Sequence, residues 1–392
     1  MVQLYGRHYT RHDVESRAGT PAQFGGVRLL ELSDGLERGV RLLEFRTAAG
    51  LRFTVMIDRG FDVAECDHRG RAIGWHSQAG FPHPNLAEYE GEGGLGFLRG
   101  FSGLLATCGL DHFGFMETVD AGRYNYPARK TVAHSLHGRA SLLPAKLLGY
   151  GERWEGDECT LYAEGEVRQA ACYGENLALI RRIEVKLDGL SFTIDDRVEN
   201  RGFISTPHMI LYHVNVGFPL VDEGSRYLAP IRRPIWAAHA ARYRAQNTGY
   251  RTLPAPIPGF VEQVWHHEMV ADAEGIVPVV AVNDRLGFGF MLESRADELP
   301  CHLQWQNFAP GAYVMGMEPG SNYVAGHAFA EQRHEAIVLA HGQSRRYRTR
   351  YTVLDGAADI AAAESRIRAI AVPPDEDYPE PSGEWPAIGA ST

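Results

Sequence analysis

Alternation of apolar and polar residues with a period of two recurs along this chain and restricts its fold more than any other feature. In "LIRRIEVKLDGLSFTIDDRVEN" (179–200), Ile183, Val185 and Leu187 alternate with Arg182, Glu184 and Lys186, and the chain then turns at Asp188-Gly189 into Phe192, Ile194 and Val198. An Asp-Gly step between two such runs is a strong hairpin signal. The pattern returns in "LRFTVMID" (51–58) and in "RRYRTRYTV" (345–353), where Tyr347, Thr349, Tyr351 and Val353 oppose Arg346, Arg348, Arg350 and Thr352. Such segments read as half-buried antiparallel strands. Helical periodicity is scarce, its best instance being "AADIAAAESRIRAI" (357–370). An all-β body with little helix is expected.

Length does not divide the chain, because sandwiches and barrels often run past two hundred residues as one unit. No repeat and no linker splits residues 1–370, so they read as one domain. Residues 371–392, rich in Pro and acidic groups, read as a tail draped on the surface or mobile. The stretch 76–130, dense in Gly, Pro and aromatics, reads as long ordered loops of the kind that shape a cleft.

A net charge of -10 with no basic block argues against a nucleic-acid partner. Sugars or small polar metabolites suit this balance better. The first residues, "MVQLYGRHYT", lack an apolar core of signal-peptide length and no later stretch approaches a membrane span, so a cytoplasmic monomer or homodimer without a membrane partner is expected. The five cysteines (66, 108, 159, 172 and 301) have no C-x-x-C spacing and read as reduced, buried thiols.

Polar residues inside apolar strands need partners or a purpose. In "LYHVNVGFP" (211–219), His213 and Asn215 share one face of an extended run, while Tyr212, Val214 and Val216 take the other. "LHGRAS" (136–141) offers His137 and Arg139 at the same spacing, and "QWQNF" (304–308) offers Gln304 and Gln306 opposite Trp305. Glu318 closes an apolar run just before Pro319, either as a solvated strand end or as a base at the mouth of the sheet. Arg59 in "IDRGFD" either pairs with Asp58 in a turn or reaches a ligand.

Two tempting motifs are set aside. "GEGGLG" (91–96) matches G-x-G-x-x-G but lacks the preceding strand and following helix of a dinucleotide site. "WHHEM" (265–269) puts His266 and His267 on opposite faces of a strand and lacks the i, i+4 spacing of a zinc protease. Neither a metal nor a cofactor is expected, although His76, His83, His112 and His134 are free to assemble in three dimensions.

In order, "CGLDHFG", "LHGRAS", "YGENLALIRRIEV", "DDRVENRG", "LYHVNVGFPLVDEGS" and "YVMGMEPGSN" resemble the motif series of the aldose 1-epimerase (galactose mutarotase) superfamily, most closely its uncharacterised, aldose-epimerase-like branch. The resemblance runs from about residue 50 to 355 and implies a large antiparallel β-sandwich of the galactose mutarotase type with a sugar cleft. It implies His213 as general acid, Glu318 as general base, His137 in contact with the sugar, and Arg139 on hydroxyls or an acidic substituent. Asn215, Gln304, Gln306 and Arg59 complete the expected sugar-binding set. The family's motif aspartate has only Asp222 as a counterpart. The histidine motif reads Tyr212-His213-Val214-Asn215 rather than N-H-x-Y-F.

The activity so implied is anomer interconversion by acid–base opening and closing of a sugar ring. In that scheme His213 is protonated and Glu318 ionised, held so by mutual attraction. The alternatives are a keto-sugar isomerase, epimerase or lyase that moves a carbon-bound proton, and a carbohydrate-binding protein without turnover, since fold does not determine function.

Overall fold

Three large antiparallel sheets and two two-stranded ones, Val2–Leu4 with Arg7–Tyr9 and Glu117–Asp120 with Thr131–His134, make up the strands of the computed structural model, whose described residues are 1–124, 126–238, 249–372 and 374. The first follows sequence order through Gly26–Glu31, Arg41–Arg46, Leu51–Met56, Asp62–His68 and Arg71–Ala72. A second, eight-stranded sheet runs Ala145–Glu155, Glu158–Ala170, Asn176–Lys186, Ser191–Asn200, Ser344–Asp355, Phe288–Arg295, Ile276–Asn283 and Arg226–Leu228. The third runs Ile231–Ala238, Gln263–Met269, Cys301–Asn307, Val314–Gly320, Thr206–Gly217 and Ile337–Leu339, with Leu105–Leu110 also paired to Thr206–Gly217. This is the β-sandwich expected, and the hairpin falls as read, with Val185 opposite Phe192 and Ile183 opposite Ile194.

Alternation explains the layers. Ile183, Val185, Phe192 and Tyr351 of the second sheet share one core with Tyr212, Val214, Met315 and Met317 of the third. The first sheet joins through a ring column, Phe45 on Phe53, Phe53 on Phe192 and Phe192 on Tyr351, with centroids 4.5, 4.5 and 4.6 Å apart. The helix Ala357–Ile370 buries Ile360, Ala363 and Ile367 against Val280, Val282 and Leu354, covering the outer face of the second sheet.

A buried polar network fastens the three sheets. Arg181 donates from Nε and Nη2 to the two oxygens of Asp196 at 2.9 and 2.7 Å, and from Nη1 to Asp62 Oδ1 at 2.5 Å. Thr107 donates to the same Asp62 oxygen, and the Tyr212 hydroxyl donates to Asp196 Oδ2 at 2.6 Å. A fully buried guanidinium is tolerable only when paired in this way, because an unpaired partner left behind costs about 3–5 kcal/mol.

"GEGGLG" lies on two short helical turns, Gly91–Gly94 and Gly96–Arg99. Cys66, Cys108, Cys159 and Cys301 are buried free thiols, whereas Cys172 is exposed, contrary to expectation, because it follows the strand Glu158–Ala170 into a turn. Burial drives the Cys108 thiol well above its ordinary range, leaving it unreactive. No helix of the described residues is long and apolar enough to cross a membrane. Apart from 371, 372 and 374, the 371–392 segment lies outside the described residues.

Candidate active site

The third sheet turns its second face away from the core, and the loops between 75 and 115 fold over it. Between them lies a cavity of about 380 Å³. Strand register assembles its floor. Leu211 pairs with Gly320 and Val214 with Met317, a register that sets His213 directly opposite Glu318, while Glu318 pairs on its other side with Leu303. Residues directly opposite on adjacent strands share a face. His213 Nδ1 accordingly stands 3.2 Å from Glu318 Oε1, a separation of ion-pair length but out of line for a hydrogen bond.

A missing side chain makes room for the carboxyl. Gly316 is the next residue of its strand on this face, and a Cβ there would lie 2.2 Å from Glu318 Oε1. The walls are aromatic. Phe101 and Trp305 pack on the His213 ring at 4.8 and 5.3 Å between centroids, with Trp75 and Phe97 beside them. Trp305 Nε1 donates to Glu262 Oε2 at 2.7 Å, placing a second carboxylate at the rim.

His137 enters from a loop, its ring centroid 5.3 Å from that of His213. Its backbone is left-handed, with φ 60°, and Gly138 follows at φ 73°. A Cβ on Gly138 would stand 2.3 Å from the His112 carbonyl oxygen, so only glycine lets this loop close upon 109–112. The loop is clipped there by hydrogen bonds from Gly109 N–H to the His137 carbonyl and from Arg139 N–H to the Gly109 carbonyl.

Burial governs the charge of the central pair. It pushes the His213 imidazole down to about 3 and the Glu318 carboxyl well above the usual range, with Glu262 adding to the latter. Burial alone thus favours a neutral imidazole beside a protonated carboxyl over the ionised arrangement expected from sequence. Both arrangements hold one proton.

The remaining expected sugar contacts lie outside the cavity. Gln304 and Gln306 point away from the cavity because Leu303, Trp305 and Asn307 take the cavity face of that strand; Gln304 donates to the Tyr250 carbonyl at 2.9 Å and contacts His267 at 3.1 Å. Arg139 donates to Glu90 at 2.5 and 2.8 Å and lies 3.9 Å from Asp111 and 3.8 Å from Glu175. Arg59 donates to the Gly100 carbonyl behind the wall, and Asp58 pairs with Arg41 instead. Asn215 donates to the carbonyls of Gly103 and His213 at 3.2 and 3.0 Å, holding loop to strand. Asp222 pairs with Arg285 outside the cavity.

Aromatic and rim residues carry the cavity where polar ones were expected. Trp305 and Asn307 were within reach of the alternation in "QWQNF", read with the other face inward. Trp75, Phe97 and Phe101 belong to the aromatic loop region already marked as cleft-forming. Nothing local to the sequence marks Glu262.

The sandwich is of the galactose-mutarotase-like class of fold. The chain belongs to the family described as a domain of unknown function, DUF4432, which matches residues 37–353. A solved structure from Klebsiella pneumoniae subsp. pneumoniae, provisionally assigned as an aldose 1-epimerase, superposes with a TM-score of 0.79 at 23% identity, covering 90% of this chain and 91% of that one. A galactose mutarotase-like protein from Clostridium acetobutylicum gives 0.56 at 12% identity over 84% and 98% of the two chains. A protein from Escherichia coli K12, likewise provisionally assigned as an aldose 1-epimerase, gives 0.51 at 12% over 80% and 99%. These likenesses establish the fold. No curated protein matches the sequence.

Proposed function

We propose that the chain is an enzyme that interconverts the anomers of a neutral aldose, His213 and Glu318 exchanging the two protons that ring opening moves. The observation that carries this reading is the 3.2 Å separation of His213 Nδ1 and Glu318 Oε1 on the floor of an aromatic-walled cavity. The anomeric hydroxyl and the ring oxygen are both bonded to C1, so one adjacent acid–base pair serves both.

With the resting proton on Glu318, this residue donates to the ring oxygen while neutral His213 accepts from the anomeric hydroxyl; rotation of the open aldehyde and the reverse transfers give the other anomer. The roles are thus the converse of those the family resemblance implies, on the same two residues. A protonated-carboxyl stretch in the infrared spectrum, lost in Glu318→Gln, would identify the proton's holder.

Neutral substrates fit because no Arg or Lys lines the cavity among the described residues. Aromatic faces suit the C–H surface of a sugar ring, and the volume lies within the usual 300–1,000 Å³ of small-molecule sites.

Exchange NMR of reducing sugars in D₂O tests the reading. Accelerated anomer exchange on a neutral aldose, without deuterium at carbon, is the expected result. Deuterium at carbon would replace it with isomerase, epimerase or lyase chemistry, and sugar-dependent thermal stabilisation without exchange would replace it with a binding protein. Gly316→Ala provides an internal check. The added methyl displaces the Glu318 carboxyl, so kcat is expected to fall at least tenfold while circular dichroism stays unchanged; a fully active variant would mean that the carboxyl's position is immaterial.

A further inference from the structure

Three histidines from separate segments meet behind one wall of this cavity. His112 lies just beyond the strand Leu105–Leu110, His134 ends the strand Thr131–His134, and His327 is in the first turn of the helix Gly326–Gln332. All three are buried, and one ligating nitrogen from each lies within 4.8 Å of those of the others. Their ring centroids stand 4.7, 4.9 and 5.3 Å apart.

The ring nitrogens are the unusual feature. His112 Nδ1, both nitrogens of His134 and His327 Nε2 are buried without a hydrogen-bond partner among the described residues. Buried polar atoms are normally paired, and four unpaired nitrogens in one cluster ask for a common partner. His112 Nε2 donates to the Phe115 carbonyl at 2.8 Å. A carbonyl only accepts, so the proton is on Nε2 and a lone pair is left on Nδ1, the arrangement by which a second hydrogen bond orients a metal-binding histidine.

Acidic groups flank the cluster. Asp111 Oδ2, also buried and without a hydrogen bond, is 3.8 Å from His134 Nδ1 and 3.9 Å from Arg139 Nη1, while its Oδ1 accepts from Gln169 Nε2 at 2.7 Å. Glu117 Oε2 is 4.0 Å from His112 Nδ1 and accepts from the His327 backbone N–H at 2.7 Å.

We propose that His112, His134 and His327 bind one divalent transition-metal ion of the zinc class. Imidazole nitrogens suit zinc and its neighbours, whereas magnesium and calcium require a cage of oxygens. Three nitrogens on one tetrahedral zinc stand about 3.4 Å apart, so modest ring rotations close the present arrangement. Burial also keeps the ligands ready, pushing His112 down to about 3 and His134 to about 4, because a protonated imidazole cannot ligate. Asp111 Oδ2 is the carboxylate oxygen best placed to complete or neutralise the site.

The ion would tie the cavity wall together. Gly114 and Phe115 follow His112, Leu136 and His137 follow His134, and Val324 precedes His327, and all five line the cavity. The site is distinct from His213 and Glu318, and its existence does not depend on the reaction proposed for them.

Chelator-stripped full-length protein, titrated with zinc and separately with cobalt, decides the matter. Expected are one equivalent of zinc by elemental analysis, the intense visible bands of tetrahedral cobalt, and a zinc-dependent rise in Tm. His134→Ala and His327→Ala should each lose all three, and His213→Gln should keep them. Wild-type protein that takes up neither metal overturns the proposal whatever the variants do, and so does uptake that persists in a folded His134→Ala, His327→Ala double variant.

Discussion

Glu318→Gln is expected to lower anomer exchange by about 10²–10⁴-fold, the usual contribution of a positioned acid or base, while leaving Tm unchanged or raised. Gln keeps the volume and a hydrogen-bonding head but cannot release or accept the proton. The stability direction follows from burial. The Glu318 pKa is raised in the folded chain, so folding holds a proton that the unfolded chain releases above about pH 4.5. Its contribution is complete below that pH and is lost as the pH rises towards the folded value, at about 1.4 kcal/mol per unit. At neutral pH the wild type carries this cost and the amide does not. Lost exchange with a higher Tm therefore separates a functional carboxyl from a structural one, and an active Glu318→Gln would remove Glu318 from the mechanism. His213→Gln should lose exchange to a similar degree. The pH profile will report the pair rather than either residue, because the two proton arrangements carry equal charge.

How much of this was legible depended on whether the information was local. The Asp188-Gly189 hairpin and the helix Ala357–Ile370 follow from periods of a few residues, and both formed as read. His213 and Glu318 were suggested by motif order, yet their opposition depends on the register between Thr206–Gly217 and Val314–Gly320, a pairing between strands remote in sequence. Alternation also divides a strand into two faces without saying which is inward. In "QWQNF" the polar face turned to the interior, where Gln304 found the Tyr250 carbonyl and His267, and the tryptophan turned to the cavity. Arg139 illustrates the same limit for charge, its partners Glu90, Asp111 and Glu175 arriving from three separate segments.

Acidification from pH 7 to 5 is expected to unfold the protein, through the same burial that sets the state of His213. Nine histidines, His112, His134, His137, His208, His213, His266, His267, His302 and His327, have pKa values lowered chiefly by desolvation. Each is neutral in the fold and becomes protonated on unfolding once the pH drops below about 6.5. The unfolded state then binds more protons, so stability is present above that value and is lost as the pH falls towards the folded pKa values. Each group removes up to about 1.4 kcal/mol per pH unit, and the six whose folded values lie at about 3 or 4 together approach 8 kcal/mol per unit, against a usual total of about 5–15 kcal/mol. Glu318 and Asp62, whose pKa values burial raises, regain stability over this range but are two against nine. Calorimetry across pH 7 to 5 should show Tm falling steeply with uptake of several protons on unfolding, and a single His302→Gln should flatten the slope by about one proton. A Tm that stays level would mean that these rings are already charged in the fold, and the proton held between His213 and Glu318 would then belong on the histidine.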